Sequence, residues 1–453
     1  MDTPTIVWLR QDLRLTDQAA LTAAAAEGPV LPVYILDDES PRDWAIGAAQ
    51  RWWLHHSLEA LDKSLRAKGS RLILRRGRSE QVLAELAEEM GTRRAHAIRH
   101  AEPWWRNAER ALGQALDLVL HDGNHLAPLG SVLNGGGAPY KIYSPFWRAL
   151  SQTMPPPKPA KAPEALPAPA HWPASDRLAD WALLPTRPDW AAGFGEAWTP
   201  GEAGGRRRLA DFVDEVGAYP ERRDRPSEDG SSRLSPHLHF GEISPAQVWH
   251  GLAAQPRTDK FLKELAWRDY AANLIQLLPA YGRENGSPKL DSLPWRTSKS
   301  DLAAWQQGRT GYPIVDAGMR QLWASGWMHN RVRMIAASFL VKHLLIDWRT
   351  GERWFWDTLV DADYGNNSVN WQWVAGTGVD ANMFARIMAP LLQSEKFDAA
   401  AYIRLWVPEL SALDDAAIHD PDEAGCRPTS YPAKLIGHRE ARERALAALA
   451  ATR

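Results

Sequence analysis

Residues 361–373 read DADYGNNSVNWQW, with two aspartates, three asparagines and two tryptophans in thirteen positions. Carboxylates and amides that can satisfy one another lie beside the largest aromatic side chains. Such a set serves a buried polar core, a metal centre, or a seat for a flat ligand with polar edges. Two other stretches repeat the mixture. In FLKELAWRDYAANLI (261–275), Glu264, Trp267 and Arg268 fall at i, i+3 and i+4, on one helix face. In GWMHNRVRMIAASFL (326–340), helical spacing puts Trp327, Asn330, Arg331 and Met334 on one face and turns Arg333 elsewhere. Such a face is neither clean core nor clean surface; it suits a pocket for a flat heteroaromatic.

A fourth stretch, GSSRLSPHLHFGEISP (230–245), sets Ser231, Ser232 and Ser235 around Arg233 ahead of a helical region. Hydroxyls and backbone N–H groups at a helix start suit a phosphate or pyrophosphate, whereas capping alone would need one serine. Arginines cluster just before it, in RRR (206–208) and ERRDR (221–225). They read either as a solvated face or as phosphate contacts for a nucleic acid. LNGGGAPY (133–140) lacks the Lys-Ser/Thr of a phosphate loop and reads as a turn. His55 and His56 are adjacent and cannot share a helix face, and His237 and His239 are not at i, i+4. No metal site is therefore expected, and no nucleophile–base pair stands out.

The elements that must position these groups fall into two regimes. TIVWLR (5–10), VLPVYIL (30–36), RLILRRG (71–77), RAHAIRH (94–100) and LDLVLHDG (116–123) read as strands. Helical patterns at DQAALTAAAA, 47–68, 79–91 and 104–116 alternate with them. That alternation predicts a doubly wound parallel sheet, with ligands at the carboxyl ends of its strands. MPPPKPAKAPEALPAPAHWPAS (154–175) predicts an extended linker. Helical periodicity then dominates, most clearly in PIVDAGMRQLWAS and RVRMIAASFLVKHLLIDW. The expected division is an α/β domain over 1–128, a Pro/Ala-rich linker over 129–199 and an all-α domain over 200–453.

Composition fits this frame. The chain has 453 residues, 45% hydrophobic and 24% charged, and a net charge of −2, so only a local basic patch could serve nucleic acid. Cys426 is the only cysteine, which excludes an intramolecular disulfide and fits a reducing cytoplasm. No signal segment or membrane-spanning apolar run stands out. Tryptophan, with 23 copies, is abundant enough to raise stacking or electronic work.

With VWLRQDLRLTDQAAL, GAPYKIYSPFWR, SSRLSPHLHFGEISP, TGYPIVDAGMRQLWASGWMHNRVRMIAASFLVKHLLIDWRTGERWF and DADYGNNSVNWQWVAGTGVDA in order, the chain resembles the photolyase–cryptochrome family over nearly its whole length. The resemblance is closest to the microbial photolyases that repair cyclobutane pyrimidine dimers. It implies an N-terminal α/β domain and a C-terminal helical domain holding a U-shaped FAD. Tyr219, Ser231, Ser232, Arg233, Leu234 and Ser235 would then seat the cofactor's phosphates and ribityl side. Arg268, Asn330, Asp361 and Asp363 would contact it elsewhere. Arg333 would pair with Asp361 beside the flavin, and Asn367 would sit at N5, where a neutral amide tolerates an anionic reduced ring. Glu264, Trp267, Asn330, Arg331, Met334 and Trp373 match the dimer pocket, and Arg223 and Arg331 are expected on backbone phosphates. The implied partner is DNA containing pyrimidine dimers, and the lesion must leave the duplex to be reached. The implied chemistry is electron transfer from excited reduced FAD to the dimer and back, with Glu264, Asn367 and Met334 nearest the event. Trp371, Trp348 and Trp295 match the family's electron relay to the surface.

Six-four enzymes carry histidines at the places of Asn330 and Met334. Cryptochromes of the DASH type usually carry glutamine and tyrosine at those of Met334 and Trp373. A signalling photoreceptor predicts a long extension after the last helix, and plant-type cryptochromes typically have aspartate at the place of Asn367. A flavoprotein that binds DNA without repairing it is a further alternative. The chain departs from the family in LRQDLR, in RIMAP (386–390) and at Phe261, where a cofactor-contacting tryptophan is frequent. A second, antenna chromophore of folate or deazaflavin type is expected in some branches. Trp104 and Trp105 replace the Asn-Glu pair of one folate site, and QRWWLHHSL (50–58) resembles other branches. A cytoplasmic monomer without membrane contact is expected.

Overall fold

The computed structural model of the chain describes residues 3–380 and 387–452. Five strands, β1 (Thr5–Leu9), β2 (Val30–Leu36), β3 (Ile73–Arg76), β4 (Arg94–Ile98) and β5 (Asp117–His121), form one parallel sheet ordered β3-β2-β1-β4-β5. Helices α1 (Ala19–Glu27), α2 (Ala48–Arg66), α3 (Ser79–Glu89) and α4 (Pro103–Ala115) supply the crossovers. Alternate residues of β1 explain the layers. Val7 and Leu9 pack with α1 and α2, while Ile6 and Trp8 pack with α3 and α4. The expected doubly wound fold is thus present, with β2 at the residues its apolar run marks.

The Pro-rich stretch carries no helix or strand from 154 to 175. It is strapped to the sheet domain by backbone bonds, among them Leu166 N to Lys68 O and Val30 N to Pro167 O. The stretch before it is less plain than a linker, because α5 (Tyr143–Leu150) forms there. Asn134 Oδ1 accepts from Gly136 and Ala138, closing LNGGGAPY as a turn.

Helices follow: α6 (Phe194–Ala197), α7 (Glu202–Glu215), α8 (Tyr219–Arg222), α9 (Ser235–His239), α10 (Pro245–Gly251), α11 (Asp259–Leu277), α12 (Lys299–Gln306), α13 (Pro313–Ser325), α14 (Asn330–Ser338), α15 (Trp348–Thr358), α16 (Tyr364–Ala375), α17 (Pro390–Lys396), α18 (Ala400–Trp406) and α19 (His438–Ala450). Helix α11 packs on α16, and α16 on α14 and α15. No helix among the described residues is long and apolar enough to cross a membrane.

Two helical expectations need correction. RVRMIAASFLVKHLLIDW is not one helix. It leaves α-geometry in a π-turn at Phe339–His343 and breaks where Leu345 takes φ +53. Asp347 then caps a new helix by accepting from Arg349 N. Trp327 does not share a face with Asn330, because α14 begins only at Asn330 and Trp327 lies in the preceding turn. The RIMAP stretch starts at residue 386, outside the described residues.

The winding reverses between β1 and β4, where an open sheet leaves a crevice. Gln11, Glu102, Asn124 and His125, beyond the carboxyl ends of β1, β4 and β5, line a small cavity there with His239, Arg268 and Asp363 of the helical part. Burial pushes the Glu102 carboxyl up to about 8, with the Asp363 charge adding to the effect. The folded chain therefore keeps a proton that the unfolded chain, near 4.5, has released. Between those values stability must fall as pH rises, by up to about 1.4 kcal/mol per pH unit for this group. Glu102→Gln, neutral throughout, should flatten that slope in urea melts run between pH 5 and 8. An unchanged slope would exclude Glu102 as its source.

Candidate functional site

The loop before α9 is built as a cradle. A Cβ on Gly230 would lie 2.5 Å from Arg222 Cβ, so only glycine lets the loop lie this close to α8. Arg208, from the RRR run, donates to Ser232 O at 2.7 Å and Ser231 O at 3.1 Å. It is thus a clamp on the serine loop, a role its place in a charge run did not reveal. Arg233 takes φ +50, lies 5.3 Å over Trp327 and ion-pairs with Asp229 at 3.2 Å. That pair is made through Nε, which faces Asp229 Oδ1. Leu234 and Tyr219 are buried beneath, Tyr219 against Phe261 at 5.3 Å. Phe261 therefore acts here as packing behind Tyr219.

Arg333 and Asp361 meet in a two-pronged pair, with Nη1 3.0 Å from Oδ1 and Nη2 2.9 Å from Oδ2. Arg333 Nε donates to Met328 O at 2.8 Å. Ser235 Oγ donates to Asp361 Oδ2 at 2.6 Å, which ties the serine loop to the pair. Trp327 lies 5.8 Å from the guanidinium, so it belongs with Arg333.

Asp363 caps α16, accepting from Asn366 N at 2.7 Å and Asn366 Nδ2 at 2.8 Å. Burial would raise its pKa. His239, Arg268 and the Asn366 N–H outweigh that and hold the carboxyl well below the usual range. Asn366 is thus a capping partner, and Asn370 bonds only locally to Asn366 O. Asn367 is buried and donates from Nδ2 to Glu352 O at 3.1 Å, which leaves its carboxamide oxygen for another partner. Arg268 parts from Glu264 and Trp267 by donating to Leu238 O at 3.1 Å.

A second face opens beside this seat. Trp267 and Trp373 line one surface pocket with Tyr270, Tyr281, Val369 and Asp380. Trp373 is 37% exposed, and Tyr143 stacks flat behind Trp267 at 4.0 Å. Glu264 pairs with Arg223 at 2.7 Å, yet burial outweighs the arginine and raises the Glu264 pKa. Arg331 pairs with Asp224 at 2.9 Å, and its Nη1 lies 3.9 Å from Met334 Sδ. Asn330 is exposed and Met334 half-buried, one turn apart on α14. The arginines expected on phosphates are thus already ion-paired, and Arg222 and Arg225 share Glu228. The basic runs do not form an open cationic strip.

Trp371 is 3% exposed on α16 and touches Phe355 at 4.9 Å. A Cβ on Gly351 of α15 would lie 2.2 Å from Trp371 Cη2. Trp348 starts α15, fully buried, and donates to Asn285 Oδ1 at 3.0 Å. Trp295 is half-buried on the outer side of the same core. Trp371 and Trp348 are thus interior, and Trp295 is nearer the surface.

Hydroxyls, the Arg233 guanidinium, a guanidinium–carboxylate pair and a carboxamide form a donor set that fits the pyrophosphate and the polar edge of a flavin. Comparisons with known proteins agree. Residues 261–451 match the family model described as the FAD-binding domain of DNA photolyase, and residues 5–167 match that of DNA photolyase. A deoxyribodipyrimidine photo-lyase of Agrobacterium fabrum is 47% identical over 99% of this chain and 98% of its own. A bacterial class III photolyase from Agrobacterium tumefaciens superposes with a TM-score of 0.95 at 47% identity, covering 100% of this chain and 98% of that one. An archaeal photolyase from Sulfolobus tokodaii with two FAD molecules, implying a novel light-harvesting cofactor, gives 0.85 at 29% identity over 99% and 100%. The cofactor of the chain is FAD.

Asp361→Asn strands the Arg333 charge, and breaking such a pair costs on the order of 3 kcal/mol. FAD affinity, read by equilibrium dialysis, should fall at least tenfold. Undiminished binding would show that the pair does not shape the seat.

Proposed function

The chain belongs to the photolyase–cryptochrome family, and from that premise we propose that it splits cyclobutane pyrimidine dimers in DNA under light. One observation carries the reading: two tryptophans, Trp267 of α11 and Trp373 of α16, line a single surface pocket. A flipped-out dimer is a bent pair of rings with apolar faces and polar edges. The two indoles offer the faces, and Glu264 and Asn330 offer partners for the edges.

Reduced FAD, when bound and excited, supplies an electron to the dimer and takes it back after the two ring bonds open. The chain's residues make this productive. Arg333 and Asp361 hold the flavin edge, and Ser231, Ser232, Arg233 and Ser235 hold the phosphates. Asn367, with its Nδ2 tied to Glu352 O, presents a neutral oxygen that neither gives a proton to N5 nor adds a full charge beside it. Glu264, whose pKa burial raises, offers its carboxyl group to the polar edge of the dimer. Arg223 and Arg331 exchange their carboxylate partners for DNA phosphates, which couples duplex binding to release of Glu264. Trp371, Trp348 and Trp295 refill an oxidised flavin from the surface. Asn330 and Met334 in place of two histidines favour cyclobutane dimers over six-four products, and Asn367 favours repair over signalling.

The same premise gives the antenna a place. A groove of about 720 Å3 between the sheet domain and the helices is lined by Arg42, Trp44, Arg78, Trp104, Arg283 and Tyr364. Trp44 and Trp104 meet the Tyr364 ring at 4.9 and 5.2 Å. We assign this aromatic floor, with arginines for an acidic tail, to a folate- or deazaflavin-type chromophore one residue along α16 from Asp363.

Two experiments test these readings. Illuminated wild-type protein should remove dimers from an oligonucleotide. Trp295→Phe should do so only when its FAD is reduced beforehand. Dimers that persist with fully reduced wild type would refute repair, and normal photoreduction in the variant would refute the relay. Chromophore extracted from protein made in a host that supplies folate and deazaflavin should contain a second species, absent from Trp104→Ala. FAD alone in the wild-type extract would refute the antenna site.

A further inference from the structure

Helix α2 carries His55, His56 and Glu59 on its outer side, away from the flavin and lesion residues. Adjacent histidines diverge by about 100° around a helix, but Glu59 lies between them in projection, about 40° from one and 60° from the other. Each histidine is thus at a chelating distance from the same carboxylate, i, i+4 for His55 and i, i+3 for His56. His55 Nε2 lies 3.4 Å from Glu59 Oε1, and His56 Nδ1 lies 3.4 Å from Oε2. That is long for an N–H···O bond, usually about 2.7–3.2 Å. It equals the roughly 3.4 Å between two ligands on a tetrahedral ion with bonds of about 2.1 Å.

We propose that His55, His56 and Glu59 form a three-ligand site for a divalent transition-metal ion of the zinc type. The ligand atoms all lie within 4.8 Å of one another, and among the described residues they are the group that meets this condition. The imidazole planes stand at 85°, so their lone pairs approach from different directions. Trp52 meets the His56 ring edge-on at 4.7 Å and packs on Phe194 at 5.3 Å, which fixes the ring before any ion arrives. Glu59 is 57% exposed, so a fourth position is open to water. Two imidazoles and one carboxylate select zinc-like ions over magnesium or calcium, which take oxygen ligands.

The test uses the full FAD-loaded protein, freed of metal with a chelator and titrated with zinc chloride by calorimetry. Equilibrium dialysis with elemental analysis gives the stoichiometry. The wild type should take up one Zn2+ per chain at low micromolar concentration and ignore magnesium chloride. His56→Ala and Glu59→Gln should each weaken zinc uptake at least tenfold, with flavin absorbance and light-driven dimer splitting unchanged. Each variant is judged only if its flavin is retained, and either suffices. No zinc uptake by the wild type, equal uptake by the variants, or equal uptake of magnesium would overturn the assignment.

Discussion

Everything around the candidate cofactor site depends on one ion pair that is mostly withdrawn from water. Arg333 reaches Asp361 with both terminal nitrogens and spends its third donor on the Met328 carbonyl. The carboxylate takes a further bond from Ser235. A buried pair of this kind adds little net stability, because desolvation offsets the attraction. What it does is fix register. Helix α14, the turn at Met328, the serine loop and the segment entering α16 can satisfy all these groups in one arrangement. The spacing between the serine loop and Asn367 follows from it.

A related economy joins the two halves of the molecule. In a free-standing α/β unit the crevice at the strand reversal would face solvent and a mobile ligand. Here the helical part closes it, and Asp363 and Arg268 meet the polar ends of β1, β4 and β5 across a small cavity. The residue that caps α16 is therefore also a boundary group of the sheet domain. Burial there is incomplete in hydrogen bonds: among the described residues His100 Nε2 has no hydrogen-bond partner, while Glu102 Oε2 and His239 Nδ1 have only charge contacts at 3.9 Å, with His100 and Asp363. Proton occupancy, more than packing, is what changes at this junction.

Much of this could be read from sequence because the signals were periodic or contiguous. Alternation of strand and helix marked the sheet, and β2 coincides with its apolar run because a strand buried on both faces has nothing else to be. The site was legible through ordered motifs; spacing alone left an anion loop and a polar pocket undecided. What stayed hidden was set in three dimensions. RVRMIAASFLVKHLLIDW holds no glycine or proline, so nothing in its composition marks the π-turn or Leu345. Arg208 looked like its neighbours in a charge run, although the carbonyls it clamps lie over twenty residues away. Arg223 and Arg331 looked like free cations, but their acids, Glu264 and Asp224, come from other positions in the chain.

Gly351 carries no redox chemistry, yet it sets where the Trp371 indole can stand. Any side chain there would enter the Trp371 ring edge. Hopping between aromatic rings depends steeply on their separation, so in the proposed relay the position of Trp371 would be set partly by a residue that a survey of tryptophans would pass over. A methyl group added at this position would shift the Trp371 ring through steric volume alone, with no aromatic residue substituted.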